Sequence, residues 1–150
     1  MDPKSQNTLA LHFSTLHHPS QPLILSNIWD PISASTIASL PSTLALATAS
    51  YAIAAAAGVS DECLTLAQNL NAVRGIAKVA AEHNLPLSVD MQDGYGAQLE
   101  EGIRGIIGLG AVGCNIEDFG RELGGGEGGM YSVEEACGRI RRVMSVAKVR

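Results

Sequence analysis

The chain has 150 residues, 46% hydrophobic and 17% charged, with a formal net charge of −5. That length is enough for one ordinary domain spanning 1–150 with its own core, and the composition is globular rather than disordered. The acidic balance, without any Lys/Arg cluster, argues against a nucleic-acid partner or an anionic membrane surface.

Cys63, Cys114 and Cys137 form no C-x-x-C pair and leave one thiol over in any disulfide scheme, so free thiols in a reducing compartment are expected. The first eighteen residues lack the apolar core of a secretory signal. No apolar run approaches the ~20 residues that span a bilayer. These features point to a soluble, cytoplasmic protein, with a mitochondrial location left open.

Leu9, Phe13 and Leu16 are spaced i, i+4, i+7, which predicts a short amphipathic N-terminal helix. PLILSNIWD (22–30) has the length of a strand. Asp30 then precedes Pro31, the signature of a helix start, and PISASTIASL is that helix. TLALATAS (43–50) reads as a second strand, and residues 51–64 read equally as a helical turn or a loop. From Thr65 towards His83 a helix carries the stripe Leu66, Leu70, Val73, Ala77 and Ala80. LPLSVD opens a third strand. AQLEEGIRGIIGLG gives a helix with Leu99, Ile103, Ile106 and Ile107 on one face and Gly108 or Gly110 near its end. AVGCNIED (111–118) is a fourth strand, and residues 119–131 form a long glycine-rich loop. Ser132 and Glu135 make a capping box for a last helix with the stripe Val133, Ala136, Cys137, Ile140, Val143 and Ala147.

Strands alternating with helices predict a parallel α/β sheet: a doubly wound open sheet, or half of a TIM-type (β/α)8 barrel behind an N-terminal helix. In either one, ligands bind beyond the carboxyl ends of the strands. There the sequence places Asn27, Trp29 and Asp30; Thr48 and Ser50, with Asp61 across the loop; Asp90, Gln92 and Asp93; and Asn115, Glu117 and Asp118. Almost no cations accompany them, and such a rim repels itself unless a hard cation sits in it. Carboxylates, amides and water suit Mg2+ or Mn2+. Since Mg2+ keeps several waters, Asp90 would bind directly, while Asp61, Gln92 and Glu117 act through water.

Blander roles compete for several of these residues. Asp30 suits an N-cap better than a ligand. Asp93 could simply start the turn into Gly94, and Asp118 could be a solvated loop acid. Ser50 could be turn chemistry. Cys114 reads as core, and His17 and His18 lack ligand spacing. The run GGGEGG (124–129) has no GK[ST] after it, so it is no phosphate loop; a disordered connector or a lid remain.

Four stretches, PLILSNIWDPISA, ALATASYAIAAAAGVSD, LPLSVDMQDGYG and GAVGCNIED, occur in order. Together with their spacing they resemble the isocitrate lyase/phosphoenolpyruvate mutase family over residues 9–148. The resemblance implies a phosphoenolpyruvate/pyruvate-type barrel, Mg2+, and a small α-keto acid or enolpyruvate substrate whose C–C or P–C bond is made or broken through an enolate. It also implies a homo-oligomer in the full-length form. It places the metal aspartate on Asp90, a second acid of that motif on Gln92, and further acids on Glu117 and Asp61. Asp90, Glu117 and Asp61 are then the catalytic candidates. Trp29, Ser50, Tyr51, Gly94, Tyr95, Gly96 and Asn115 are the substrate-binding candidates.

The chain departs from the family pattern in four ways. The family's substrate serine falls on Ala49, one place before Ser50. Gln92 is neutral. Residues 119–131 contain no Cys, Lys or His, unlike the loops of the lyase and mutase branches. Four βα units are half of a barrel, which takes ~250 residues when complete. The expected function is therefore an Mg2+-dependent lyase or phosphonomutase-like enzyme, the alternative being a truncated, non-catalytic half-barrel.

Overall fold

The computed structural model describes residues 2–123 and 128–147. Helix α1 (Pro3–Leu16) is followed by β1 (Asn27–Ile28), α2 (Pro31–Ala38), β2 (Leu46–Thr48), α3 (Ser50–Ala56) and α4 (Leu66–Glu82). Then come β3 (Leu87–Asp90), α5 (Leu99–Leu109), β4 (Gly113–Asn115), a short β5 (Phe119–Gly120) and β6 (Gly129–Met130), and α6 (Val133–Ala147).

The four main strands are all parallel and lie in the order β1-β2-β3-β4. Consecutive parallel order is that of a TIM-type barrel; a doubly wound sheet reverses its order at a switch point. Of the two architectures open to the sequence, the half-barrel is the one present. α2 packs on α4, α4 on α5, and α5 on α6, making an outer helical layer. Between the layers, Ile28, Leu46, Val73, Ile76, Leu87 and Val89 are completely or almost completely buried. Each such side chain contributes about 1.5–3 kcal/mol.

Local signals explain the boundaries. Asp2 caps α1 through the N–H groups of Lys4 and Ser5 with Pro3 behind it, so this helix begins earlier than its apolar stripe suggests. Asp30 accepts from Ser33 N at 2.7 Å and Ser33 Oγ closes a reciprocal capping box, which settles Asp30 as a cap. Thr65 and Gln68 do the same for α4. Gly110, with φ +104°, ends α5.

Two expectations are corrected. Part of the loop after β4 is paired, β5 and β6 forming a small antiparallel ladder; residues 124–127 of the GGGEGG run lie outside the described residues. On α6, Val133, Cys137 and Ile140 are exposed, whereas Arg139 and Val143 are buried. The apolar stripe of α6 is therefore split: one edge meets α5 and the other borders a cleft of about 370 Å³, between α1, α5 and the open edge of β4.

Candidate functional site

β3 delivers Asp90 at its carboxyl end, where β2 and β4 flank it on either side. Both carboxylate oxygens are held. Oδ2 accepts from Ser50 N at 2.8 Å, and Oδ1 accepts from Gln92 N at 3.1 Å and Asn115 Nδ2 at 2.9 Å. Three donors from three different segments fix this carboxylate in direction as well as position. Ser50 thus meets Asp90 through its backbone N–H, and Asn115 meets it through its amide.

The backbone of Asp90 is held by side chains too. Its N–H donates to Thr48 Oγ1 at 2.9 Å, and its carbonyl accepts from Asn69 Nδ2 at 3.0 Å. Past the strand the chain turns sharply. Gln92, Gly94, Tyr95 and Gly96 all have positive φ, between 50° and 78°. Left-handed Gln92 and Tyr95 are strained conformations of the kind that persist only where surroundings impose them. Asp93 imposes part of it: buried to 1% exposure, it accepts from Tyr95 N at 2.9 Å and Arg121 N at 3.2 Å. The bland reading of Asp93, as the residue that starts the turn, is the one its contacts describe.

Gln92 is 2% exposed and fully engaged. Its Nε2 donates to Asp61 Oδ1 at 2.8 Å and to the Asp61 carbonyl at 2.9 Å. Its Oε1 accepts from Arg121 Nη2 at 2.7 Å. The side chain therefore ties the strand-3 turn to the α3–α4 loop and to the β5 segment.

Glu117 follows β4 and its N–H donates to the Gln92 carbonyl at 2.7 Å. Glu117 is an exposed residue, but the protein around its carboxyl still displaces part of its water and raises its pKa above the usual range; Asp90, Asp61 and Asp93 push it further up, and Arg121 opposes them. Asp61, Asp90, Asp93 and Glu117 thus share one electrostatic field. No three His, Cys, Asp or Glu side chains among the described residues converge closely enough to enclose an ion by themselves. That donor set fails as an all-protein cage. It fits a hydrated Mg2+ or Mn2+, which needs one or two carboxylates and fills its remaining positions with water.

Trp29 stands at the end of β1, 41% exposed, with its N–H on Ser33 Oγ at 3.0 Å. Tyr51 is 73% exposed on the first turn of α3, so the structure does not bring it in among the acids. Tyr95 is half-buried; its hydroxyl accepts from Asn69 Nδ2 at 2.8 Å, and burial holds its pKa far above the ordinary value. Cys114 is partly buried, and burial raises its thiol pKa, as its core reading expects.

Sequence reasoning missed three residues. Arg121 is a cation on a rim read as nearly free of them. Besides Gln92, its guanidinium donates to the carbonyls of Glu62 at 2.8 Å and Asp61 at 3.2 Å, and pairs with Asp93 at 3.4 Å. Arg139, 7% exposed, donates to the Asp93 carbonyl and stacks 4.4 Å from the Tyr131 ring. Asn69 is wholly buried within the apolar face of α4, and that misplaced amide was the available signal.

The family described as phosphoenolpyruvate phosphomutase matches residues 13–150. No curated protein matches the chain. Among solved structures, a protein of Burkholderia cenocepacia J2315 provisionally named a phosphonomutase is 34% identical, with a TM-score of 0.83 over 95% of this chain and 54% of that one. A second protein of that organism, provisionally named a lyase/mutase, is 28% identical, with a TM-score of 0.82 over 97% of this chain and 51% of that one. A phosphonopyruvate hydrolase, solved with oxalate and Mg2+, shares the fold at 18% identity, with a TM-score of 0.76 over 95% of this chain and 48% of that one. The chain spans about half the length of these proteins. With its fold, its ordered motifs and the family match in agreement, the chain belongs to the phosphoenolpyruvate phosphomutase family.

Proposed function

We propose that the chain forms the metal-binding half of an Mg2+- or Mn2+-dependent lyase or phosphonomutase-like enzyme acting on a small α-keto acid or enolpyruvate substrate. The observation that carries this reading is Asp90: a carboxylate at the end of a parallel strand, aimed by three donors and sharing with Asp61 and Asp93 the field felt at Glu117. In this reading Asp90 holds the cation directly, and Glu117 and Asp61 hold its waters. Gln92 serves by fixing Asp61. The bound cation supplies Lewis-acid stabilisation of the oxygen that becomes anionic in an enolate. Ser50 is buried with its N–H already given to Asp90, so its hydroxyl is the group left to orient a substrate carboxylate. In this reading Trp29, Gly94, Tyr95 and Gly96 are further substrate contacts.

Among the described residues neither β1 nor β4 has a strand partner on its outer edge. In the whole protein, further strands would complete the sheet, and the complete form would assemble as a homo-oligomer. No helix among the described residues is long and apolar enough to cross a membrane.

The test is a calorimetric Mg2+ titration of the chain and its Asp90→Asn variant, with an assay for cleavage of C–C and P–C bonds next to a pyruvate unit. Saturable binding lost in the variant supports the reading; a parent protein blind to Mg2+ and Mn2+ refutes it. One observation favours a second reading, a non-catalytic half-barrel: Arg121 already supplies a fixed positive charge beside Gln92 and Asp93. The blind outcome would select it.

A further inference from the structure

We infer that Asn69, on α4, is a positioning residue for the Asp90 carboxylate, acting through the Asp90 peptide. The inference extends the reading of Asp90 as metal anchor, although the geometry behind it stands without any metal.

Asn69 lies on the buried face of α4 with Leu66, Val73, Ile76 and Ala77, where every other side chain is apolar. It is wholly buried, and its Oδ1 has no hydrogen-bond partner among the described residues. A buried amide with an orphaned acceptor is unfavourable, and leucine has the same branched arrangement of side-chain heavy atoms, though larger methyl groups, without that penalty. Helix packing therefore gives no reason for an amide at this position. The two protons of Nδ2 give one. The first goes to the Asp90 carbonyl at 3.0 Å, and the second to the Tyr95 hydroxyl at 2.8 Å.

The Asp90 peptide thus lies between two side chains, Thr48 Oγ1 at its N–H and Asn69 Nδ2 at its carbonyl. With the backbone pinned on both sides of its Cα, the direction of the Asp90 Cα–Cβ bond is fixed, and Ser50, Gln92 and Asn115 hold the carboxylate at its end. The same Asn69 amide holds Tyr95, a left-handed residue in the turn that carries Gln92. One side chain on the outer layer therefore fixes both the strand end and the turn after it. Partners of this kind set affinity by orienting a ligand they never touch.

Two measurements on the 150-residue chain test this, using Asn69→Leu, Thr48→Val and Thr48→Ser. The first is hydrogen exchange at the Ser50 amide, which reports whether its bond to Asp90 Oδ2 survives without any metal. Asn69→Leu and Thr48→Val are expected to lower its protection about tenfold or more, while Thr48→Ser, which keeps Oγ, retains it. The thermal midpoint of Asn69→Leu should fall by no more than about 10 °C, the scale of an unpaired buried acceptor in a domain of this size, with the transition still cooperative. The second is titration with Mn2+, followed by the EPR signal of the free ion. Asn69→Leu and Thr48→Val should bind roughly 10-fold more weakly, the usual scale for loss of an orienting partner. Unchanged Ser50 protection in both variants overturns the inference whatever the metal does. So does loss of protection in Asn69→Leu that accompanies loss of its cooperative transition while Thr48→Val behaves as the parent. Failure of the parent to bind Mn2+ overturns the metal reading alone, and Ser50 exchange still decides the role of Asn69.

Discussion

Gln92 donates its amide nitrogen to Asp61, at 2.8 Å from the carboxylate and 2.9 Å from the carbonyl, from the position at which the family resemblance implies a second acid. The Gln92→Asp variant replaces that donor with a second charge. Loss of the buried bond and the new repulsion should destabilise the metal-free protein by about 1–3 kcal/mol, partly offset by Arg121, which sits 2.7 Å from Gln92 Oε1. Mn2+ should stabilise the variant more than it stabilises the parent, because a cation relieves the repulsion. Urea unfolding with and without Mn2+ checks this; equal stabilisation of the two proteins would count against a cation near position 92.

Arg121 is the internal counter-charge, joined to Gln92, Asp93 and two carbonyls of the α3–α4 loop. Its side chain is 24% exposed, so water screens part of its effect. Arg121→Met should cost about 1–2 kcal/mol, with faster exchange of amides in the Asp61–Cys63 turn. A stability equal to the parent's would mean that the rim needs no fixed cation.

The sequence made the strand–helix alternation legible because period and length carry it: α4 and α5 bury most of the stripes their spacing predicts, with Leu70 and Ile107 only partly buried. It also placed Asp90, Gln92 and Glu117 at one rim, since parallel strands put their carboxyl ends together. What stayed hidden was the identity of each partner. Gln92 could be read as a missing acid, but not as the residue that clasps Asp61, because that contact joins positions 31 apart in the chain. The tertiary role of Arg121 is equally invisible in a stretch that reads as a loop. α6 misled for a different reason. Its apolar periodicity is genuine, but with the β4 edge open Ile140 borders a cleft instead of a packed core.

Gly94 has φ +78°, and a Cβ built there would collide with Leu99 Cδ1 and approach Arg139 Nη2 to 3.3 Å. Leu99 is fully buried, so it cannot move aside cheaply. Gly94→Ala should therefore lose about 2–4 kcal/mol, combining left-handed strain with overpacking. Thermal unfolding measures it. Gly108→Ala is the control, because nothing lies within 4 Å of its Cβ position and φ there is ordinary; a helix-interior glycine replaced by alanine should gain up to ~1 kcal/mol.

Glu100 and Arg142 form a two-pronged ion pair between α5 and α6, at 2.5 and 2.8 Å. The Arg142 bond is the main reason the Glu100 carboxyl lies well below its ordinary range, at about 2. A depressed carboxyl pKa contributes stability above the unfolded value near 4.5 and loses it as pH falls towards 2. Arg142→Ala should return the Glu100 titration, followed by side-chain carbon NMR, to the ordinary glutamate range and abolish that part of the acid loss. The pair is exposed, so the effect should shrink in high salt.

Glu117 has the opposite sign. Partial loss of water around the carboxyl first, and then Asp90, Asp61 and Asp93, raise its pKa above 4.5. The folded chain therefore binds this proton more tightly than the unfolded chain does. The resulting stability is complete below pH 4.5 and disappears as pH rises through the folded value. In metal-free buffer the parent should lose stability over that window, and Glu117→Gln, which never ionises, should not show this component. Saturating Mn2+ should reverse the order, because the ionised carboxylate that burdens the empty rim is the one that would hold a water on the cation. Unfolding by urea across that pH range, with and without Mn2+, separates the two cases. A Glu117→Gln curve parallel to the parent's under both conditions would place Glu117 outside the field of Asp90.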